Sequence, residues 1–127
     1  MVVNADLPAD ATAAAAARRH VEGFVSDAQL RQDALIVVSE FVANAWQHGD
    51  PPISLVLEQD SDAQATGRLL ICVTNRRRAG STSVPLPSDN ARPDRLGGRG
   101  VDLVRLLAAD WGWQAQGQTM TVWARIE

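Results

Sequence analysis

Residues 27–59 read DAQLRQDALIVVSEFVANAWQHGDPPISLVLEQ, and this stretch decides the fold. Asp27 is a good helix N-cap, and Gly49 followed by Pro51 and Pro52 is a firm stop, so the spacing predicts a helix from Asp27 to about His48. Leu30, Ala34, Val37, Phe41 and Ala45 recur at helical spacing and give that helix a stripe to bury. Beyond the prolines the period changes: Ile53, Leu55 and Leu57 alternate, which marks a strand over Ile53–Gln59. A helix with one apolar stripe that runs straight into a strand has a sheet as its natural partner.

The flanks extend the pattern. Upstream, ADATAAAAARRHVEGFV (9–25) is alanine-rich and free of proline, and reads as a first helix introduced by Pro8 and Asp10. Downstream, the polar turn DSDAQATG leads to a second strand, Leu69–Thr74. Residues 76–96 hold three prolines and show no period, so they read as a long loop of the kind usually tied to function. A third helix is expected over about Arg99–Ala109, then a closing hairpin of Trp111–Ala115 and Met120–Ile126 around Gln116–Thr119. The sum is one α+β domain spanning 1–127, a two-layer sandwich of a mostly antiparallel mixed sheet with about three helices on one face.

Bulk properties narrow the function. The chain has 127 residues and is 46% hydrophobic, enough for one ordinary core. No apolar run approaches the roughly 18 residues that span a bilayer. The start MVVNADLPAD lacks the basic and apolar segments of a secretory signal. The single cysteine, Cys72, has no partner for an internal disulfide, and burial in an apolar run is the reading for it. These features lead us to expect a cytoplasmic protein with no membrane association. The net charge of −3 argues against direct nucleic-acid binding. Residues 68–99, however, carry Arg68, Arg76, Arg77, Arg78, Arg92, Arg95 and Arg99 against Asp89 and Asp94, a local +5 that leaves −8 on the rest. Such a segment suits either a compact anion or plain solvation.

Three groups of residues could carry chemistry. Glu40, Asn44 and His48 stand four apart on one helix face, beside the apolar stripe and so at an edge of the core. A glutamate there can polarise a hydroxyl, and an asparagine offers Mg²⁺ a hard oxygen. Gly97-Gly98-Arg99-Gly100 precedes a helix, where close backbone approach and free N–H groups suit phosphate. It is neither a P-loop nor a dinucleotide fingerprint. Thr121, in the last strand, could give a ligand a hydroxyl hydrogen bond. Each group also has an ordinary structural reading: a polar helix face, a loop-to-helix junction, a strand threonine.

Their order along the chain resembles a family. SEFVANAWQHG (Ser39–Gly49) resembles the N-box of the GHKL ATPases, the group of gyrase, heat-shock chaperone ATPases, sensor histidine kinases and mismatch-repair ATPases. LGGRGVDLVRLLAADWGW (Leu96–Trp113) is similar to the second glycine box of the short anti-sigma-factor serine/threonine kinases. TMTVWARIE and LPADATAAAAARRHVEGFV are similar to their closing strand and their opening. The resemblance implies a Bergerat-type ATP site. In it Glu40 is the general base and Asn44 the Mg²⁺ ligand, with His48 and Gly49 on the same wall. Gly98 and Gly100 meet phosphates, Arg99 adds charge, Thr121 contacts the nucleotide, and residues 76–96 form the ATP lid. It also implies a sigma factor and an anti-anti-sigma antagonist protein as partners, and leaves a homodimer open.

The sequence departs from the family at one box. GHKL proteins usually carry Asp-x-Gly-x-Gly after the strand that is here Leu69–Thr74, and its aspartate accepts from the adenine amino group. Here Asn75 holds that position and the first glycine is absent. Asparagine can still accept a hydrogen bond, without the charge that roughly doubles its strength. Two functions therefore compete: an ATP-dependent serine/threonine kinase acting on the antagonist, favoured by Glu40 and Asn44, and a partner-binding regulator with weak or no nucleotide binding, favoured by Asn75. An isolated histidine-kinase catalytic domain ranks third.

Overall fold

The computed structural model describes residues 1–59, 68–78 and 103–127. In chain order these form β1 (Val2–Leu7), α1 (Ala13–Phe24), α2 (Ala28–His48), β2 (Gly49–Gln59), β3 (Leu69–Arg77), a short helical stretch α3 at 103–107, β4 (Asp110–Gln116) and β5 (Thr119–Ile126). The five strands make one sheet in the order β1-β2-β3-β5-β4, and every pairing is antiparallel. Helices cover one face. The expected α+β architecture is the observed one.

Local chemistry sets the helix limits. The Asp27 carboxylate accepts from the Leu30 N–H at 2.8 Å, capping α2 as its sequence requires. α1 starts later than expected, at Ala13, because the Asp10 carboxylate accepts from the Thr12 N–H at 2.8 Å and fixes a turn first. Its buried residues are Ala13, Ala16, Ala17 and Val21, small side chains that let α1 lie close to α2. The expected stripe of α2 is buried throughout, joined by Val38 and Val42.

That stripe packs on the inward rows of the sheet: Ile53, Leu55 and Leu57 from β2, Leu69, Ile71 and Val73 from β3, and Val122, Ala124 and Ile126 from β5. The outward row places Val56, Cys72 and Trp123 side by side. Cys72 is thus half-buried on the outer face rather than in the core, because period-two alternation turns it away from Ile71 and Val73. Burial, and then the negative charge of Glu58, push its thiol pKa up. The tight β4–β5 hairpin turns at Gly117, whose φ of 59° lies in the left-handed region that favours glycine.

β1 is an element with no counterpart in the sequence reading. Val3, Ala5 and Leu7 alternate inward, but its partner β2 lies some fifty residues away, in the register Leu7↔Ile53. β2 also begins earlier than expected, at Gly49, with an irregularity between Asp50 and Ser54 that absorbs the two prolines.

Candidate functional site

The C-terminal half of α2 carries the first wall. Asn44 is buried although polar, and Glu40, one turn earlier, is half-buried. Both sit at the margin of the apolar stripe, as the spacing of four demands. Burial raises the Glu40 pKa above the ordinary carboxylate value, which moves it toward the range of a working base. His48, at the last helical position, is exposed, and Gly49 behind it is buried.

The second wall is the far end of β3. Leu69, Ile71 and Val73 face the helices, and the same alternation turns Asn75 inward, where it is only 5% exposed. It lies opposite the β2 irregularity and pairs with Met120 of β5. The Asn75 amide nitrogen donates to the Arg76 carbonyl at 2.6 Å, so the side-chain oxygen remains to accept a bond from a ligand. Gly49 is where α2 and β3 meet most closely: a Cβ built there would collide with the Asn75 side-chain amide. Asn75 and the C-terminal end of α2, the helix that bears Glu40 and Asn44, are therefore in direct contact.

Arg78 fastens this corner. Its guanidinium donates to the Gln47 and Gly49 carbonyls at 3.3 and 3.2 Å and pairs with Asp50 at 3.5 Å. Those carbonyls belong to the end of α2, where a cation is favoured by the helix dipole. Within the RRR run, Arg76 instead donates to the Gln118 side chain at 3.0 Å. Nothing in the run of three arginines distinguishes which would do which.

Not every expected residue comes to this corner. Thr121 lies on the outward face, and its hydroxyl is hydrogen-bonded to that of Thr74 at 2.8 Å. This corrects the reading of Thr121 as a nucleotide contact: Met120 occupies the inward register beside Asn75, 2% exposed. The alternation Val122, Ala124, Ile126 was the signal that could have found it. Gly98, Arg99 and Gly100 lie outside the described residues, as does most of the loop 76–96; its first residues, Arg76 and Arg77, belong to β3. A cavity of about 260 Å³ lined by Glu58, Arg68, Leu69, Leu70 and Arg125 sits at the opposite end of β3 from Asn75 and is not part of this corner.

The side-chain oxygen of Asn44 is of the kind that would serve a Mg²⁺–nucleotide as one ligand among phosphate oxygens and waters, the usual arrangement for Mg²⁺. Among the described residues no group of three or more His, Cys, Asp or Glu could cage a metal.

Comparison with known proteins adds three findings. The model of the histidine kinase-like ATPase domain family matches residues 4–126. The crystal structure of the RsbU and RsbW domains of Rv1364c from Mycobacterium tuberculosis is similar over 100% of this chain and 32% of its own, with 16% identity and a TM-score of 0.70. The histidine kinase domain from the Erythrobacter litoralis EL346 blue-light activated histidine kinase is similar over 89% of this chain and 56% of its own, with 20% identity and a TM-score of 0.55. At these identities the structural likeness speaks for the fold, and the chain spans about a third and just over half of the two structures. Among curated proteins no sequence matches.

Proposed function

We infer the activity from one premise: the chain belongs to the histidine kinase-like ATPase domain family. Our reading is an ATP-binding anti-sigma factor that acts as a serine/threonine kinase on its antagonist protein. The observation that carries it is the contact of Asn75 with Gly49 at the end of α2, the helix that also bears Glu40 and Asn44. In our reading Asn75 is the base-reading acceptor, Glu40 the carboxylate and Asn44 the hard oxygen ligand, and the meeting of Asn75 with the end of α2 supports it.

In this reading the adenine amino group donates to the Asn75 oxygen. Asn44 would hold Mg²⁺, which would supply charge to offset the phosphates when bound. Gly98, Arg99 and Gly100 cradle the phosphates. The serine or threonine hydroxyl of the antagonist meets Glu40, whose carboxylate takes the proton as the oxygen attacks the γ-phosphorus. The bond to the β–γ bridging oxygen breaks, ADP leaves, and the antagonist departs as a phosphoprotein. The unphosphorylated antagonist competes with the sigma factor; its loss leaves this protein free to hold the sigma factor from polymerase. That role belongs in the cytoplasm, and no described helix is long and apolar enough to cross a membrane.

One observation favours a second reading, a protein-binding regulator without catalysis. Asn75 brings no charge to the base, and its amide nitrogen is already committed to the Arg76 carbonyl. Transfer of labelled γ-phosphate from ATP to candidate antagonists separates the two. Mg²⁺-dependent labelling of a serine or threonine supports the kinase. Binding of the antagonist with no labelling, and no heat of ATP binding, supports the regulator.

A further inference from the structure

One side chain ties the end of β3 to the end of α2. The carbonyl of Gln47, near the end of α2, would find its helical donor four residues on, but that residue is Pro51, which has no N–H. It accepts instead from the Arg78 Nη2 at 3.3 Å, and the same nitrogen donates to the Gly49 carbonyl at 3.2 Å. The Arg78 Nε stands 3.5 Å from the Asp50 carboxylate, an ion pair with both side chains about half exposed. Gly49 is thereby held from both ends of its backbone, since its N–H donates to the Ala45 carbonyl.

Gly49 is also the residue against which Asn75 rests. A Cβ built on Gly49 would meet the Asn75 Nδ2 before any other atom. That nitrogen donates to the Arg76 carbonyl at 2.6 Å. The amide therefore stands with its nitrogen toward Gly49 and the Arg76 carbonyl, and its oxygen is left for a ligand. Turned over, it would set an oxygen against the Arg76 carbonyl, acceptor against acceptor. Which end of the amide faces the ligand thus depends on where the end of β3 lies relative to α2. Two sets of bonds fix that: the Arg77 N–H donates to the Gln118 carbonyl at 2.6 Å, and Arg78 reaches across to α2.

We propose, on the nucleotide reading above, that Arg78 is a positioning residue that selects the base: its clasp on the end of α2 keeps the oxygen of the Asn75 amide, not the nitrogen, turned to the ligand. An oxygen there accepts from the amino group of adenine, whereas a nitrogen in its place would donate to the carbonyl of guanine. Without the clasp the end of β3 draws away from Gly49, the amide is free to turn, and the preference for adenine is lost. The two carbonyl bonds carry this role, because the ion pair with Asp50 is exposed and screened by solvent.

Calorimetry of the intact chain with ATP and with GTP reads the result, beside the side-chain amide resonances of Asn75 in the isotope-labelled, nucleotide-free protein. Arg78→Met keeps an unbranched side chain and removes both carbonyl bonds. ATP affinity should fall about tenfold while GTP affinity holds or rises, and the Asn75 amide resonances should shift. Arg78→Lys, which keeps a donor, should recover part of the preference for ATP. Asp50→Asn, which leaves both carbonyl bonds in place, should not change it. A merely structural loss would weaken ATP and GTP alike in both Arg78 variants, and that pattern overturns the proposal. So do unmoved Asn75 resonances in Arg78→Met, or an effect of Asp50→Asn as large as that of Arg78→Met. If the unmutated chain binds no ATP, the nucleotide reading falls and the proposal with it; ATP binding that is indifferent to Arg78 overturns the proposal alone.

Discussion

β3 and β5 lie side by side, and each turns every second residue toward the helices. In β5 the inward row is Ile126, Ala124, Val122 and Met120, apolar to its end. In β3 it is Leu69, Ile71, Val73 and then Asn75, an amide in a core register. Burying an amide costs free energy unless its groups are bonded, so such a residue is expected where a ligand completes the bonding. Asn44, at the margin of the α2 stripe, breaks the apolar pattern in the same way, and these two are the buried polar residues of the described structure. The apolar rows hold the sandwich together; the two positions where the rows turn polar belong to the site we propose.

The largest expected effect sharpens this contrast at its catalytic margin. Glu40→Gln should lower phosphoryl transfer by about 10²–10⁴-fold while ATP still binds, measured by labelled-phosphate transfer beside calorimetry. Retention of transfer removes Glu40 as base. The same variant tests the raised pKa. A carboxyl whose folded-state pKa exceeds its unfolded value stabilises the fold at low pH, and that contribution is lost as pH rises through the folded pKa, above 4.5. Glu40→Gln should therefore melt slightly higher than the unmutated protein near neutral pH, and the difference should close below pH 4.5.

Asn44→Ala should weaken ATP binding by roughly 10-fold or more in the presence of Mg²⁺, the scale of a lost bond to a charged group, and little in its absence. Equal loss with and without the metal takes Asn44 out of the metal shell.

Gly49→Ala probes the apposition itself. The Gly49 backbone is extended, so a side chain is sterically allowed by its own conformation, but the added Cβ would stand 2.6 Å from the Asn75 Cγ and 3.1 Å from the Ala45 carbonyl oxygen. The expected cost is about 1–3 kcal/mol of stability, read from denaturant melts, together with weaker nucleotide binding as Asn75 is displaced. A variant as stable as the parent would show that α2 and β3 do not meet there.

Much of this was legible from residues alone. Asp27 announced α2, and Gly49 with two prolines ended it. Alternation gave the middle strands and the hairpin, because each signal is local. β1 was not legible, since its three inward residues gain meaning only from a partner strand far along the chain. The site was half legible. Glu40 and Asn44 stood out by type and spacing and Asn75 through the family resemblance alone, whereas the hydroxyl of Thr121 invites a chemical role that the strand period overrules by turning it outward. The role of Arg78 could not be read at all, because three consecutive arginines look alike until the end of a helix is placed beside one of them.

The smallest expected effect asks whether Asn75 reads the base as an acceptor. Asn75→Asp exchanges a neutral acceptor for a charged one, worth about 1 kcal/mol or roughly fivefold tighter ATP binding. It also removes the amide that donates to the Arg76 carbonyl, so the nucleotide-free protein should melt at a lower temperature and show a larger rise on adding ATP. An unchanged rise, or an equal gain for GTP, contradicts the role.

The corner of Asn75 and α2 is the place we propose for an adenine nucleotide. Calorimetric titration of the unmutated protein with ATP and with GTP, each with and without Mg²⁺, tests it most directly. Saturable ATP binding strengthened by Mg²⁺ is expected, with weaker GTP binding, because guanine offers a carbonyl where adenine offers an amino group to Asn75. No binding of ATP under any of these conditions, or equal affinity for GTP, would contradict it.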